Sequence, residues 1–507
     1  MDTEAGQSRK QTLDKDLDKL AAVGEAAGRL SRGLVAPGLA LLFIALAAVS
    51  ASIAGAGEPG LIVIVAAAAI AGYMAMAIGA NDVTNNVSAA VGARALTIAS
   101  ALVIAAIFET AGALIAGQNV IATISSDIVS PAQVADAGTF VVLMLAALLA
   151  AALWVHAATW LGAPVSTTHS IVGAVVGAGA AAAGVSAVNW WVMASIATSW
   201  VVSPLAGALI AILFLYLIQA QIVYRDDKIA AARRWVPLYV GVMGGSFVTY
   251  LTALLSPGLL ASPLSMPGLA VAASAAFWAI AHWTVARQSI GLENRNQSLR
   301  VLFRAPLIAS AALLSFAHGA NDVANAIGPL AAIVSALRHA GATAAPAWVM
   351  LIGALGISTG LLLFGPKLVR IVGDQITKLN PVRGFCIALS VALTVLIASA
   401  LGMPVSSTHI TVGAVFGVGF FREWYDAHST RRRAYLAHRA ERRGIAADDP
   451  NAGAKTKAPR ATPPTELARR RLVRRAHVTT IVAAWLVTVP LSAALAAGLF
   501  HLFRLFG

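Results

Sequence analysis

Cysteine is almost missing from this chain, since Cys386 is the only one among 507 residues. A disulfide framework within one chain is therefore excluded, and so is a metal site built from several thiolates. Charged side chains are scarce as well: they make up 11% of the residues, whereas soluble domains contain about a quarter. Together with 59% hydrophobic residues, this composition excludes an ordinary soluble protein and indicates a chain embedded in a lipid bilayer.

Runs of about 20 apolar residues, the length that a membrane-spanning helix needs, occur about 12 or 13 times along the chain. The sequence therefore predicts an all-α polytopic membrane protein. A large soluble protein with buried helices is the alternative, and the length and number of the runs disfavour it.

The net charge of +14 is unevenly distributed, because residues 422–475 carry most of the excess of Lys and Arg over Asp and Glu. In a membrane protein, such a loop first indicates orientation, since basic loops stay in the cytoplasm. We expect this Pro-containing loop to be disordered. Nucleic-acid binding and regulation are alternative roles, and association with anionic lipid headgroups is favoured over both, so no nucleic-acid partner is expected.

Two polar motifs each occur twice, and in both cases the second copy begins 240 residues after the first. The motif Gly-Ala-Asn-Asp-x-x-Asn occupies residues 79–85 and 319–325. The motif Pro-Val-Ser-Thr/Ser-Thr-His occupies residues 164–169 and 404–409. Since two unrelated motifs share one offset, the chain contains a duplicated unit.

The charges of the loops predict that the two repeats have opposite orientations. With the N-terminus and the basic loops 225–234 and 287–300 in the cytoplasm, the first repeat enters from outside and the second from inside. The loop at 118–136 has acidic residues and no Lys or Arg, whereas its counterpart at 367–383 is basic. Inverted repeats are an architecture of secondary transporters. Arg338 is the one charge that fits this orientation poorly.

These observations divide the chain into seven segments. They are a cytoplasmic polar tail (1–33), an extra membrane helix (34–55), the first inverted repeat (60–222), a connecting hairpin with a scaffold or dimer role (225–300), the second inverted repeat (301–421), a basic disordered cytoplasmic loop (422–476) and a last membrane helix (477–503) that leaves the C-terminus outside.

Asp82 and Asp322, one in each Gly-Ala-Asn-Asp motif, lie in apolar sequence that places them at membrane depth. A carboxylate there is costly and normally marks an ion or substrate path. Because Gly, Asn and Asp disfavour a helix, we predict that each motif breaks its helix and exposes backbone carbonyls to a cavity. With Asn85 and Asn325, the carboxylates would form an oxygen cage for a hard cation such as Na⁺. Proton uptake by the carboxylates and a purely structural Asp–Asn clamp are the alternatives.

The Pro-Val-Ser motif predicts a helix start, because Ser and Thr are favoured N-cap residues. Free N–H groups at a helix N-terminus attract anions, and two inverted copies would converge on one tetrahedral oxyanion. Broken or re-entrant helices at the motifs follow from this interpretation. Hydrogen bonding of the hydroxyls to their own helices is the alternative. The candidate anion-binding residues are Ser166, Thr167, Thr168, Ser406, Ser407, Thr408, Asn81 and Asn321.

Three further ionisable residues lie in the apolar segments. His169 and His409, which end the second motif, could carry protons or fix the turn by a structural hydrogen bond. Glu109 has no acidic counterpart, since alignment of nearby glycines places Ile357 opposite it. We interpret Glu109 as a ligand of the coupling cation in preference to a partner of a buried cationic group.

Two other functional classes are disfavoured. Residues 356–360 match the nucleophile-elbow string G-x-S-x-G, but that motif requires a strand–turn–helix context and here it lies in an apolar stretch. An intramembrane hydrolase is therefore only an alternative, and the chain is not expected to be an enzyme. A channel is disfavoured because the charged sites are fully duplicated.

At these two duplicated motifs the sequence resembles the PiT-type inorganic phosphate transporters, over about residues 60–222 and 301–421. The resemblance implies import of phosphate across the cytoplasmic membrane with Na⁺ or H⁺, by a homodimer that needs no other cofactor. It assigns the cation to the two Asp and two Asn residues and phosphate to the hydroxyls. The predicted oxygen cage and Glu109 slightly favour Na⁺ over H⁺. Ala388 stands where some relatives carry an acid or amide. A sulfate permease of the same architecture is the alternative.

Overall fold

The computed structural model describes residues 34–161, 165–256, 265–338, 344–375, 380–441 and 475–506. Within them the backbone is helical almost throughout, and the only strand-like contact is an isolated bridge between Val129 and Val188. The predictions for the tail 1–33 and for residues 442–474 of the basic loop lie outside the described residues.

Fourteen longer helices are numbered here in chain order. They are α1 (Leu34–Ala54), α2 (Leu61–Gly92), α3 (Ile98–Ala116), α4 (Ala137–Trp160), α5 (Thr167–Ala183), α6 (Trp190–Ile218), α7 (Lys228–Leu255), α8 (Ser265–Gln288), α9 (Arg304–Leu337), α10 (Ala347–Gln375), α11 (Pro381–Ala400), α12 (Ser407–His428), α13 (Thr430–Glu441) and α14 (Arg475–Phe506). Short helices at Gln118–Ala122 and Asn296–Leu302 precede α4 and α9.

Eleven helices of the described residues are long and apolar enough to cross a membrane, which confirms the prediction of an all-α polytopic membrane protein. The difference from the expected 12 or 13 segments lies in the two helices that start at the Pro-Val-Ser motif. With 17 residues, α5 is shorter than each of these eleven helices, and the second half of α12 is polar. Both start as predicted, because Ser166 and Ser406 accept hydrogen bonds from the N–H groups of His169 and His409.

The prediction that the Gly-Ala-Asn-Asp motif breaks its helix is wrong. Both α2 and α9 run continuously through it, over 32 and 34 residues. The amides do not compete with the helix, because they bond to other helices: Asn81 donates to Thr159 at 2.8 Å and Asn321 donates to Ser399 at 3.0 Å. No cage of free backbone carbonyls therefore forms at this motif.

The glycines of the motif allow close packing rather than unwinding. A Cβ atom at Gly79 would overlap the carbonyl of Ile357 in α10, and a Cβ atom at Gly319 would overlap the carbonyl of Glu109 in α3. The two contacts are equivalent in the two repeats. They place Ile357 opposite Glu109, as the glycine alignment predicted, and they bring α3 and α10 against the centre of the molecule.

The last helix belongs to the packed core. Gly177 of α5 approaches the backbone of Ala493 in α14, and Gly413 of α12 approaches the backbone of Pro204 in α6. Thus α14 packs on the first repeat as α6 packs on the second. The predicted segment 301–421 omits this helix, because the basic loop separates it from the rest of its repeat.

The beginning of the basic loop is helical, so the prediction of disorder is wrong for residues 422–441. Aromatic contacts hold this part: Tyr224 stacks on Tyr425 at 5.9 Å and packs edge-on against Tyr435 at 5.7 Å. Lys228 lies over the Tyr435 ring at 4.7 Å. These contacts bury apolar surface, and the Arg-rich composition of the segment gives no indication of this packing.

Arg338, whose charge fits the predicted orientation of the repeats poorly, has a local partner. Its Nε atom lies 3.0 Å from Oε1 of Glu58, so the end of α9 pairs with the loop between α1 and α2. This pairing is compatible with the predicted orientation, and the inversion of the two repeats stays a prediction.

Replacing Gly79 by Ala tests the packing role of the motif glycine. We expect Gly79→Ala to destabilise the protein by about 1–3 kcal/mol, because the new methyl group overpacks against a backbone carbonyl. A melting curve in detergent would measure this. Gly92→Ala on the same helix is the control, since a Cβ atom there meets nothing within 4 Å. Equal melting temperatures for both variants would contradict the packing role.

Candidate functional site

The two motif carboxylates flank a buried histidine. Asp82 and Asp322 are each 1% exposed, and His318 is completely buried. Nε2 of His318 lies 2.7 Å from Oδ2 of Asp322 and 3.9 Å from Oδ2 of Asp82. One imidazole therefore lies between a carboxylate from each repeat.

His318 is not among the residues that the sequence patterns singled out. It directly precedes the second motif, whereas the equivalent position before the first motif is Ile78. Because only one repeat has a histidine at this position, comparison of the two repeats does not identify His318. The signal that could have found it is an ionisable residue within an apolar helix, which by itself marks a functional site.

Glu109 completes the charged cluster. Its Oε1 atom lies 3.5 Å from Nδ1 of His318 and accepts a hydrogen bond of 2.5 Å from Asn86. This is the geometry of a partner to a buried basic group, the less favoured of the two interpretations of Glu109. Its predicted role as a ligand of the coupling cation stays a prediction.

The cluster has more acidic than basic groups. Among the described residues, His318 is the only basic side chain that pairs with these three carboxylates. One protonated imidazole cannot balance three ionised carboxylates, and an unpaired buried charge is very costly. Ligand atoms of Asp82, His318 and Asp322 all lie within 4.8 Å of one another. The arrangement can therefore bind a cation.

Hydroxyls from both repeats surround Asp82. The Thr167 hydroxyl donates to its Oδ2 atom at 3.0 Å and the Thr408 hydroxyl donates to its Oδ1 atom at 3.2 Å. Asn85 donates to the Thr408 oxygen at 2.8 Å. One carboxylate thus holds the starts of α5 and α12 together.

Asp322 has a similar but not identical environment. The Ser407 hydroxyl donates to its Oδ2 atom at 3.1 Å. Asn325 donates to its Oδ1 atom at 3.2 Å and to the Thr168 oxygen at 3.1 Å. The Thr168 hydroxyl donates to the carbonyl of Val405 instead of the carboxylate. The carboxylate nearer to the imidazole therefore receives one hydroxyl, and the more distant one receives two.

The structure brings the predicted cation residues and half of the predicted anion residues, namely Thr167, Thr168, Ser407 and Thr408, into one buried cluster. Three hydroxyls point towards carboxylates, those of Thr167, Ser407 and Thr408. The Ser166 and Ser406 oxygens cap helices. Asn81 and Asn321 connect helices, and the Asn321 oxygen also accepts from the N–H of Val405. Their contact with an anion stays a prediction.

His169 and His409 lie against each other at the starts of α5 and α12. Their ring centroids are 4.4 Å apart in an edge-to-face arrangement. His169 also packs on Trp200 at 3.8 Å, whose indole N–H donates to the carbonyl of Pro404 at 3.1 Å. These contacts fit a structural role, and a role as proton carriers stays a prediction.

The nucleophile-elbow alternative has no support in the fold. Ser358 lies inside the continuous helix α10. Its hydroxyl donates to the carbonyl of Ala106 at 3.0 Å and shares a hydrogen bond of 2.6 Å with Thr110. Ser358 therefore connects α10 to α3, and the strand–turn–helix context that the elbow requires is not present there.

Comparison with known proteins gives a consistent result. A family model described as "Phosphate transporter family" matches residues 78–496. A protein of Helicobacter pylori strain J99, provisionally named a phosphate permease, is 45% identical over an alignment of 513 positions that covers 94% of this chain and 96% of the relative. A relative from Pyrococcus abyssi with a similar provisional name is 41% identical over 69% of this chain and 86% of its own.

A solved structure is also similar. It is described as "The sodium-dependent phosphate transporter" and superposes with a TM-score of 0.74 at 33% identity. The match covers 88% of this chain and all of that one, so the likeness extends over nearly the whole fold.

Replacing the buried imidazole tests the charge balance of the cluster. We expect His318→Gln to lower stability by on the order of 3 kcal/mol, because it leaves three buried carboxylates without a basic partner. The melting temperature should partly recover in NaCl, since a cation can replace the lost charge. The control is His156→Gln, because His156 is exposed on α4. An unchanged melting temperature for His318→Gln would contradict the charge imbalance.

Proposed function

Because the chain belongs to the phosphate transporter family, we propose that it imports inorganic phosphate across the cytoplasmic membrane by symport with a cation. The observation that carries this proposal is the buried cluster in which hydroxyls of both repeats bond to the carboxylates of Asp82 and Asp322. A cation site and an anion site that share the same hydroxyls cannot act independently. Shared groups of this kind are what coupled transport requires.

We propose Na⁺ as the coupling ion. Carboxylate and hydroxyl oxygens are suitable ligands for a hard cation, and Asp82, Asp322, Thr167 and Ser407 place such oxygens together. The similar protein of known structure is described as sodium-dependent, which supports this choice. Proton coupling is the alternative, in which the carboxylates and His318 would exchange a proton instead.

The hydrogen bonds suggest how cation and phosphate depend on each other. The hydroxyls of Thr167 and Ser407 donate to the carboxylates of Asp82 and Asp322. A bound cation would take the carboxylate and hydroxyl oxygens as ligands, and each O–H group could then turn towards an anion. The phosphate site would thus be complete only after cation binding. By linkage, phosphate would raise the affinity for the cation by the same factor.

Selection against sulfate would come from the same carboxylates. Phosphate can still donate a hydrogen bond at neutral pH, whereas sulfate cannot, so an acceptor such as Asp82 or Asp322 beside the anion would favour phosphate. We also propose that the transporter is a homodimer with its N-terminus in the cytoplasm and its C-terminus outside, as the loop charges and the family resemblance predict.

Uptake into proteoliposomes tests the coupling ion and the substrate. We expect a Na⁺ gradient to drive uptake of radiolabelled phosphate, and we expect Asp322→Asn to abolish it, because the cation loses a charged ligand. Asp127→Asn, at an exposed position, should retain normal uptake. Uptake driven only by a proton gradient would exclude Na⁺ symport. Movement of sulfate without phosphate would reject the proposed substrate.

Removing one shared hydroxyl tests the coupling. We expect Ser407→Ala to weaken the apparent affinity for both phosphate and Na⁺ by about tenfold, the effect of losing a hydrogen bond to a charged group. Initial uptake rates at varied phosphate and varied Na⁺ would measure both. Ser195→Ala is the matched control, because the Ser195 hydroxyl bonds only to its own helix. A loss of phosphate affinity with unchanged Na⁺ affinity would show that the hydroxyl is not shared.

A further inference from the structure

A surface groove lies at one end of the hairpin formed by α7 and α8, away from the charged cluster. Its volume is about 510 Å³. It lies between the first turns of α7 and the last turns of α8. The large side chains that line it are Arg233, Arg234, Trp235, Leu238, Trp278 and His282. This hairpin has no counterpart in the repeats, so the transport mechanism does not account for the groove.

The lining combines positive charge with apolar surface. Two guanidinium groups and an imidazole face the groove together with two indole rings, and no acidic residue lines it. Arginine binds phosphate groups through paired hydrogen bonds. Tryptophan is enriched where a membrane protein meets lipid headgroups, because its ring is apolar and its N–H is polar. The groove is therefore suited to a ligand with an anionic head and an apolar body.

The charged and apolar parts follow one another along the helix. Arg234, Leu238 and Val242 are spaced four residues apart, so they share one face of α7. Leu238 and Val242 are 44% and 47% exposed, and they continue from the arginine towards the middle of the helix. Charge thus lies near the start of α7, and exposed apolar side chains continue from it towards the middle of this apolar helix.

Close packing of α7 and α8 ends the groove beyond Leu238, so the line from Leu238 to Val242 continues on the exposed face of α7. A Cβ atom at Gly241 would lie 2.8 Å from the carbonyl of Ser274 and 3.1 Å from Cβ of Trp278, so α7 and α8 touch there. At the other end, Arg233 donates from Nε to the Ser289 hydroxyl at 2.6 Å. The groove between these two contacts is consequently held by fixed helices.

We propose that this groove binds one anionic phospholipid, with its phosphate at Arg233 and Arg234 and an acyl chain along Leu238 and Val242. The basic loops at 225–234 and 287–300 predict that this end of the hairpin is cytoplasmic. Anionic lipids of the cytoplasmic leaflet attract such clusters of basic residues. The proposal depends on neither the coupling ion nor the transported substrate.

Native mass spectrometry of the purified protein, titrated with phosphatidylglycerol or phosphatidylcholine, tests this site. We expect wild type to retain phosphatidylglycerol preferentially, and we expect Arg234→Gln to reduce its retention about fivefold, since each basic residue near an anionic lipid surface contributes an effect of this size. Arg287→Gln is the matched control, because Arg287 lies at the same end but stacks on Trp283 at 3.9 Å, outside the groove. Arg233 is not replaced, because its Nε atom donates to Ser289, directly after α8.

Four results would overturn the proposal. Equal retention of both lipids, or an equal loss in Arg234→Gln and Arg287→Gln, would mean that the groove has no specific lipid. Displacement of the lipid by millimolar inorganic phosphate would indicate a site for the free anion. Disulfide-linked pairs of chains formed by Leu238→Cys would indicate a second copy in the groove, since the natural Cys386 is buried.

Discussion

The structure depends on keeping three carboxylates buried around one imidazole. Such an excess of negative charge is tolerated inside a protein only if nearby donors are directed at it. The amides and hydroxyls of both repeated motifs do this, and they come from four helices, α2, α5, α9 and α12. Gly79 and Gly319 let α10 and α3 approach α2 and α9 within the space of a missing methyl group. The residue whose carbonyl meets Gly319 is Glu109, whose carboxylate faces His318, so the packing of the repeats also positions part of the site.

The position of the helix breaks follows from this constraint. An unwound turn at Asp82 or Asp322 would supply carbonyl oxygens, which add further negative partial charge to an acidic cluster. In a continuous helix those carbonyls stay hydrogen-bonded within the helix, so only side chains face the cluster. The breaks lie instead at Ser166 and Ser406, where helix N-termini offer donors and partial positive charge. Donors thus face acceptors across the centre of the molecule.

The repeated motifs, the helix starts and the correspondence of Ile357 with Glu109 could be predicted from the sequence, because each depends on a local pattern or on one shared offset. The continuity of α2 could not, since Asn81 finds its partner in Thr159, 78 residues away. The place of α14 was hidden by the long basic insertion before it. His318 escaped prediction for another reason: repetition revealed the site, and His318 is a residue that only one repeat contains.

This unrepeated pair, His318 and Glu109, makes the two aspartates unequal. The equivalent positions in the other repeat, Ile78 and Ile357, are apolar and buried. The cluster therefore contains a single imidazole, which has one defined position. It lies 2.7 Å from Asp322 but 3.9 Å from Asp82, and attraction between charges weakens with distance. The charge of Asp82 is therefore less compensated, and two hydroxyls instead of one bond to it. Under the proposed symport, a cation entering this cluster gains most at Asp82, although the motifs that supply both aspartates are nearly identical.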